Sequence, residues 1–579
     1  MASRSGAAHV VTTRREYKGR VYTTHLLRRS FREGGKVRNE TLGNLSHLPE
    51  HVVDLIRRSL RGEEFVAAGE RFEIVRSVHH GHVQAVRRAM ERLGFDDLVA
   101  SRRSRQRDLV CAMVAARIVA PHTKLATTRW WPTTTLAEDL GVTGASEDEL
   151  YGAMDWLLEG QERIEKKLAA RHLERGGLVL YDLSSSYFEG TTCPLARLGH
   201  NRDGKKGKLQ VNFGLTTDRR GCPVAVSVVE GNVADGETLK AEVKRLREGF
   251  GIDRLVLVGD RGMISQTAIE EDLRELEGLS WITALKTGQI RGLVEGGGLQ
   301  LGLFDERNLH EFTHPDYPGE RLIACRNPEL GRLRAHKRAS LLEATAKELE
   351  KVRAMVERGR LRGRDAIGVR VGRVVNKYKV AKHFDLEIED DAFGYAIAEK
   401  RVAAEAALDG IYVIRTSLPE RKMTAAEAVR SYKSLANVER AFRSLKTVDL
   451  KVRPIHHRLA DRVRSHIFLC MLAYYVEWHM REAWRPLLFA DEEVEAKGRR
   501  DPVAAAKRSK SAEAKAATKR RSDGGRVHSF ATLLEELSTI VRNVCAAPGG
   551  DDDRPTFEMV TTPNEVQRRA LELLDTIRA

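Results

Sequence analysis

Hydrophobic and polar positions follow three successive patterns along the first part of the chain. Over residues 1–75, runs from Val21 to Leu27 and from Val37 to Leu42 flank Gly34-Gly35 and predict an Arg-rich β-hairpin. From 76 to 175 the spacing turns helical: Leu109, Met113 and Ile118, then Leu150, Met154 and Leu157, recur at intervals that line one helix face. Arg102, Arg103, Arg105 and Arg107 precede the first of these helices, as a solvated helix entrance or, on a sharper reading, a phosphate-contacting patch. A helix-turn-helix around Leu136, Leu140 and Val142 is discounted, because Glu138, Asp139, Glu147, Asp148 and Glu149 would repel phosphates.

Near residue 176 the pattern changes to short β-rich runs, at 178–181, 210–217, 223–229, 254–258 and 281–285, with a helical stretch at about 237–248. Three strands, a helix and a further strand are the order of an RNase H-like α/β core. Residues 411–416 read as another strand, followed by a long helix over about 424–447. Between them, 290–408 opens with Gly296-Gly297-Gly298 and holds a helix marked by Leu342, Ala346, Leu349, Val352 and Val356. It ends in strand-like runs near Phe384 and Phe393 and reads as an inserted α+β domain. The expected organisation is a β-rich basic domain at 1–75, a helical domain at 76–175 that could bind DNA ends, and core halves at 176–289 and 409–485 around the insertion. A basic linker and helices at 486–579 complete it, with amphipathic helices at 530–541 and 564–577; the flanking regions would bind DNA or dimerise.

Two apolar runs, LVLYD and LVLVGD, each deliver a carboxylate at the edge of a strand: Asp182 and Asp260. Open α/β sheets place their sites at such edges, and continuous apolar runs suit neighbouring buried parallel strands. A turn cap explains one strand-end Asp more plainly; two in one α/β unit suggest a shared cation, and hard oxygen ligands suit Mg²⁺ or Mn²⁺. On the helix that follows, Tyr432, Glu439 and Lys446 are spaced by seven, so each lies within about 20° of the last around the axis. Arg443 joins that side, while Leu435, Val438, Phe442 and Leu445 form the apolar stripe beside it. A solvent face held by a Glu439–Arg443 pair would produce the same spacing. Glu230 and Asp235 are competing acids near another strand end, and His456, His457 and His466 read as packed or loop histidines.

Composition narrows the class. The 579 residues are 42% hydrophobic and 31% charged, which fits a globular chain rather than a disordered one. The longest apolar run, Ile467 to Val476, is about half a membrane span, and the N-terminus lacks an apolar signal core. Six scattered cysteines without a C-x-x-C pair suit a reducing compartment. There are 98 Lys+Arg against 82 Asp+Glu, a net charge of +16, which points to a polyanionic partner. That charge is uneven: 332–382 holds 16 basic against 5 acidic residues, and 497–526 holds 11 against 3. The second stretch has few large apolar groups and reads as a flexible basic segment.

YDLSSSYFEG around Asp182, VVEGNVADGETL at 228–239, GDRGMIS around Asp260 and the Y-x6-E-R-x-F-R-x-L-K run from Tyr432 resemble DDE transposases of bacterial insertion sequences. Specifically they look like the IS-four-like branch, with its Tyr, Arg, Glu, Lys signature, and RPIHHRLADRVRSHIFLCMLAY is also similar to it. The resemblance implies a catalytic and metal-binding triad of Asp182, Asp260 and Glu439, with two Mg²⁺ ions (Mn²⁺ able to substitute) about 3.5–4 Å apart across a scissile phosphate. Tyr432 and Lys446 match the signature; its Arg is Leu435 here, so Arg440 or Arg443 would supply that phosphate contact, with Arg453 close by. The implied protein is a cytoplasmic, nucleoid-associated bacterial transposase without membrane contact. It would bind terminal inverted repeats, cut the element's ends, join their 3′-hydroxyls to target DNA and pair as a homodimer. The alternatives are a structure-selective nuclease without strand transfer and an inactive DNA-binding descendant. Some relatives flip a base onto a Trp in the inserted domain; 282–477 holds none, leaving Tyr378, Phe384, Phe393 or Tyr395 as stacking platforms.

Overall fold

The computed structural model describes residues 7–63, 65, 72–306, 308–493, 501–504, 507–546 and 555–578, which form two compact units. The smaller unit contains the described residues of Met1–Ser77 together with those of Arg542–Val560. Where the sequence suggests a hairpin there is a three-stranded antiparallel sheet of Ala8–Tyr17, Arg20–Glu33 and Lys36–Asn44. The helix expected over 530–541 ends at Ser538, and the chain then forms the strand Val541–Ala546, paired antiparallel with Thr556–Val560. Val541 and Val544 suit that change, since β-branched residues crowd a helix and pack well on a pleated surface.

The larger unit is built on one mixed eight-stranded sheet. Its strands are β1 (Leu178–Tyr187), β2 (Gln210–Asp218), β3 (Pro223–Glu230), β4 (Leu255–Val258), β5 (Leu279–Ala284), β6 (Leu309–Phe312), β7 (Arg321–Arg326) and β8 (Ile411–Thr416). Their order across the sheet is β6-β7-β8-β5-β4-β1-β2-β3. β1 is antiparallel to β2 and parallel to β4, and β4 is parallel to β5. The β1–β4 register pairs Leu178 with Val256 and Leu180 with Val258, an offset of 78 residues. Asp182 and Asp260 differ by the same 78, so strand pairing itself carries the two carboxylates towards each other.

One expectation changes here. Asp182 does not end its strand: β1 runs on to Tyr187, with Asp182 opposite Leu215 of β2. Ser184, Ser185 and Ser186 look like a loop in sequence but are buried within the sheet. Asp260 does lie just beyond the end of β4.

Residues 290–408 also divide. β6 and β7 hydrogen-bond onto β8 and extend the sheet. The remainder forms a helical body in which Pro328–Glu357, Arg364–Tyr378 and the hairpin Phe384–Ile388/Phe393–Ile397 share a core of Leu349, Val352, Ile367, Val371, Phe384 and Phe393. The helix Ala460–Ala483 is buried around its whole circumference from Ser465 to Met480 and holds the apolar run at 467–476. No single helix among the described residues is long and apolar enough to cross a membrane. All six cysteines are free and buried.

The flexible segment expected at 497–526 is folded where it is described. Lys510–Thr518 is a helix capped by the Ser509 hydroxyl, which accepts from the Ala512 amide. Lys515 is buried, its Nζ donating to the Arg485 and Pro486 carbonyls at 3.2 and 3.3 Å. A lysine that satisfies carbonyls in this way acts as a structural donor, which composition alone does not reveal.

Candidate active site

Asp182 and Asp260 meet at the join of β1 and β4. Asp260 Oδ1 accepts the amides of Gly262 and Met263 at 2.9 and 2.7 Å, which fixes its carboxylate over the following turn. Asp182 Oδ1 accepts the Leu183 amide at 2.9 Å. Burial, reinforced by the negative charge of Asp260, pushes the Asp182 carboxyl up to about 7. Asp235 adds to that push, and its Oδ2 and both Asp260 oxygens lie within 4 Å of the point where a Cβ on Gly262 would stand. Three aspartates therefore share one small region.

The acid-bearing helix is not continuous. Thr424 caps Ala425–Lys433 in a reciprocal box with Glu427, Leu435–Arg443 follows, and Ser444–Val448 is a single π turn. Phe442 packs edge-on against Phe213 of β2, with ring centroids 5.5 Å apart, and docks the second piece on the sheet. Tyr432 and Glu439 face the aspartates: burial and the charges of Asp260, Glu439 and Asp182 raise the Tyr432 phenol, to about 12. Glu439 itself is exposed. Leu435, where the signature has Arg, packs against the core.

The π turn directs Lys446 inward. It is buried, and its Nζ lies 3.1 Å from Asp203 Oδ1, which also pairs with Arg453. Burial pushes the Lys446 ammonium down, against the pull of Asp203. Asp203 Oδ2 accepts the Tyr187 amide at 2.9 Å, so this carboxylate ties the end of β1 to both cations. Its neighbour Arg202 pairs with Asp235 and lowers the Asp182 carboxyl. Arg202 and Asp203 are site residues that the sequence reading does not single out. They sit on the loop between β1 and β2, whose path depends on Gly199: a Cβ there would stand 1.9 Å from the Gly231 carbonyl.

The remaining candidates separate clearly. Glu230 leaves the cluster and lies 3.6 Å from Arg197. Arg440 is exposed beside Asn437, and Arg443 is exposed on the same helix. Phe384 and Phe393 are buried in the helical body, so of the proposed stacking residues only Tyr378 and Tyr395 keep partial exposure. Tyr395 donates its hydroxyl to the Ala346 carbonyl at 3.1 Å. His457 and His466 are held neutral by burial among Arg117 and Lys124, as packed histidines. Arg103 and Arg105, at the helix entrance of Arg105–Val119, pair with Asp108 and Glu149.

The donor set fits hard divalent cations. Among the described residues, Asp182, Asp260 and Glu439 form no ion pair with a lysine, arginine or histidine. Asp182 and Asp260 repel each other, Arg202 offsets this only in part, and a cation between them would remove the repulsion.

Residues 186–476, half of the chain, match the family model described as the transposase DDE domain. Residues 10–70 match that of the IS1634 family transposase N-terminal domain. Asp260 and Glu439 fall inside the first match; Asp182 stands just ahead of it. No curated protein matches the chain. Among solved structures, the piggyBac transposase synaptic complex with hairpin DNA is similar at 9% identity over 79% of this chain and 77% of that one. Its TM-score is 0.35, too low to bear on fold or function.

Proposed function

The chain belongs to the transposase DDE-domain family, and from that premise we propose that Asp182, Asp260 and Glu439 are its catalytic, metal-holding carboxylates. It is a DNA transposase, an enzyme of DNA cleavage and strand transfer, and DNA is its partner. One observation supports the site assignment: Asp260, Glu439 and Asp182 all act on the Tyr432 phenol, and among the described residues none of the three forms an ion pair. The strand sequence β3-β2-β1-β4-β5, with only β2 antiparallel to its neighbours, supports an RNase H-like core.

Divalent cations serve this family, and here we assign two Mg²⁺ ions, with Mn²⁺ able to substitute, to Asp182, Asp260 and Glu439. When bound they supply Lewis acidity for phosphodiester hydrolysis and transesterification. The protein's part is positional. Gly262 and Met263 amides fix the Asp260 carboxylate, and the β1–β4 register sets Asp182 beside it. Arg440 and Arg443 are exposed cations for DNA phosphates, Lys446 and Arg453 are further phosphate contacts held by Asp203, and Tyr432 borders the acids as a polar wall. Asp235, held by Arg202, lies beside the cluster. The substrates are the terminal inverted repeats of a mobile element and a target duplex, brought together by a homodimer in the bacterial cytoplasm.

Incubating pre-cut end DNA, target plasmid and Mg²⁺ with the protein tests this reading. Joined products are expected; cleavage of uncut ends with no joining from pre-cut ends would instead assign the site to a nuclease.

A further inference from the structure

A second cluster of ligand atoms lies apart from the carboxylates. We propose that His172, Cys222 and His479 form a site for one thiophilic divalent cation of the zinc class. His172 ends the helix Gln161–His172, Cys222 sits on the turn between β2 and β3, and His479 belongs to the helix Ala460–Ala483. Their ligand atoms all lie within 4.8 Å of one another. Cys222 Sγ and His479 Nε2 are 3.8 Å apart. A tetrahedral zinc ion with bonds of ~2.3 Å to sulfur and ~2.0 Å to nitrogen needs these two atoms ~3.5 Å apart, so this pair closes by a few tenths of an ångström and His172, within 4.8 Å of both, moves in by up to about an ångström or more.

The surroundings are built as such sites are. The Tyr475 hydroxyl lies 3.0 Å from His172 Nε2 and its ring is edge-on to His479, with centroids 4.8 Å apart, so both imidazoles are oriented by one neighbour. The Cys222 amide donates to Asp218 Oδ1 at 2.9 Å, which holds the turn. Asp218 Oδ2 takes the Arg220 guanidinium at 3.0 Å, so the arginine nearest the cysteine is already neutralised. Cys222 and His479 are buried, and His172 is partly open, which leaves one side for entry and for water as the fourth ligand. Binding forms a metal–sulfur bond and releases the Cys222 thiol proton to solvent. Two nitrogens and a sulfur select a softer ion than the all-oxygen carboxylate cluster does, so the two sites take different metals. The result is a staple joining three elements, with Cys222 and His479 separated by 257 residues.

Cobalt(II) added to the metal-free full chain is the probe. The expected result is one equivalent bound with a thiolate-to-cobalt charge-transfer band and the visible bands of a four-coordinate ion, bleached by stoichiometric Zn²⁺. The band persists in Asp260→Asn and is lost in Cys222→Ser. Should Cys222→Ser not fold, His172→Gln, altered at a partly exposed helix end, weakens cobalt binding at least tenfold. Absence of a thiolate band in the wild-type chain, its survival in Cys222→Ser, its loss in Asp260→Asn, or unchanged affinity in His172→Gln each overturns the proposal.

Discussion

Two buried acidic places on the same sheet are treated in opposite ways. Glu320, leading into β7, is enclosed by Arg415 of β8, whose Nε stands 2.6 Å from Oε2, by Trp281 Nε1 at 3.3 Å and by Arg274 at 3.6 Å. Arg415 is itself 2% exposed and is further held by Gln266 and the Tyr317 ring. Both Glu320 oxygens are taken by partners within the protein. At the β1–β4 join, Asp182 and Asp260 receive only backbone amides, and Asp182 is driven towards neutrality. The first arrangement fastens the sheet; the second, on the proposed reading, awaits a cation from outside. On that reading compensation, more than burial, separates a structural acid from a catalytic one.

Substitutions on the two sides of this contrast have different readouts. Asp260→Asn should lower end cleavage about 10,000-fold, or ~5 kcal/mol of barrier, with end binding retained in a gel-shift assay. Normal cleavage by that variant removes Asp260 from the site. Arg415→Met leaves Glu320 buried without its main partner, and chemical denaturation should show a loss of about 3–5 kcal/mol. Little loss there would mean the pair is not the fastening that its geometry implies.

A smaller effect follows from the sign of the Asp182 shift. Its carboxyl binds a proton more tightly in the folded chain than in the unfolded one, where its value is the ordinary 3.8. Metal-free protein therefore loses this contribution as pH rises from about 4 to about 7, and divalent-cation affinity rises over the upper part of that range. Denaturation in chelator across pH should show the slope in the wild type and not in Asp182→Asn. Smallest is Asp203→Asn, which frees Lys446 and Arg453 from their shared carboxylate. Each cation released to DNA should steepen the dependence of log affinity on log salt by about 0.9. An unchanged slope would mean that neither side chain reaches phosphate.

Much of the site is legible in the sequence because its acids follow apolar strands. LVLYD and LVLVGD announce Asp182 and Asp260, and their 78-residue spacing proves to be the strand register itself. The seven-residue spacing of Tyr432 and Glu439 also survives, since both lie before the π turn. Lys446 lies in the π turn, is buried and pairs with Asp203. That contact spans 243 residues, and no local pattern encodes it. The continuation of β1 is hidden by its serines, whose hydroxyls read as loop although the sheet buries them. β6 and β7 are short, and their membership in the main sheet depends on pairing with β8 across a long insertion.

The measurement that bears most directly on the carboxylate centre is a Mn²⁺ titration of the full chain followed by electron paramagnetic resonance, which counts bound ions without relying on turnover. Mn²⁺ prefers oxygen donors, so the His172/Cys222/His479 cluster contributes little to it. The account predicts saturable Mn²⁺ binding in the wild type, strengthened by end DNA and lost in Asp182→Asn and Asp260→Asn proteins of unchanged circular dichroism. Wild-type Mn²⁺ binding retained in both variants would contradict it.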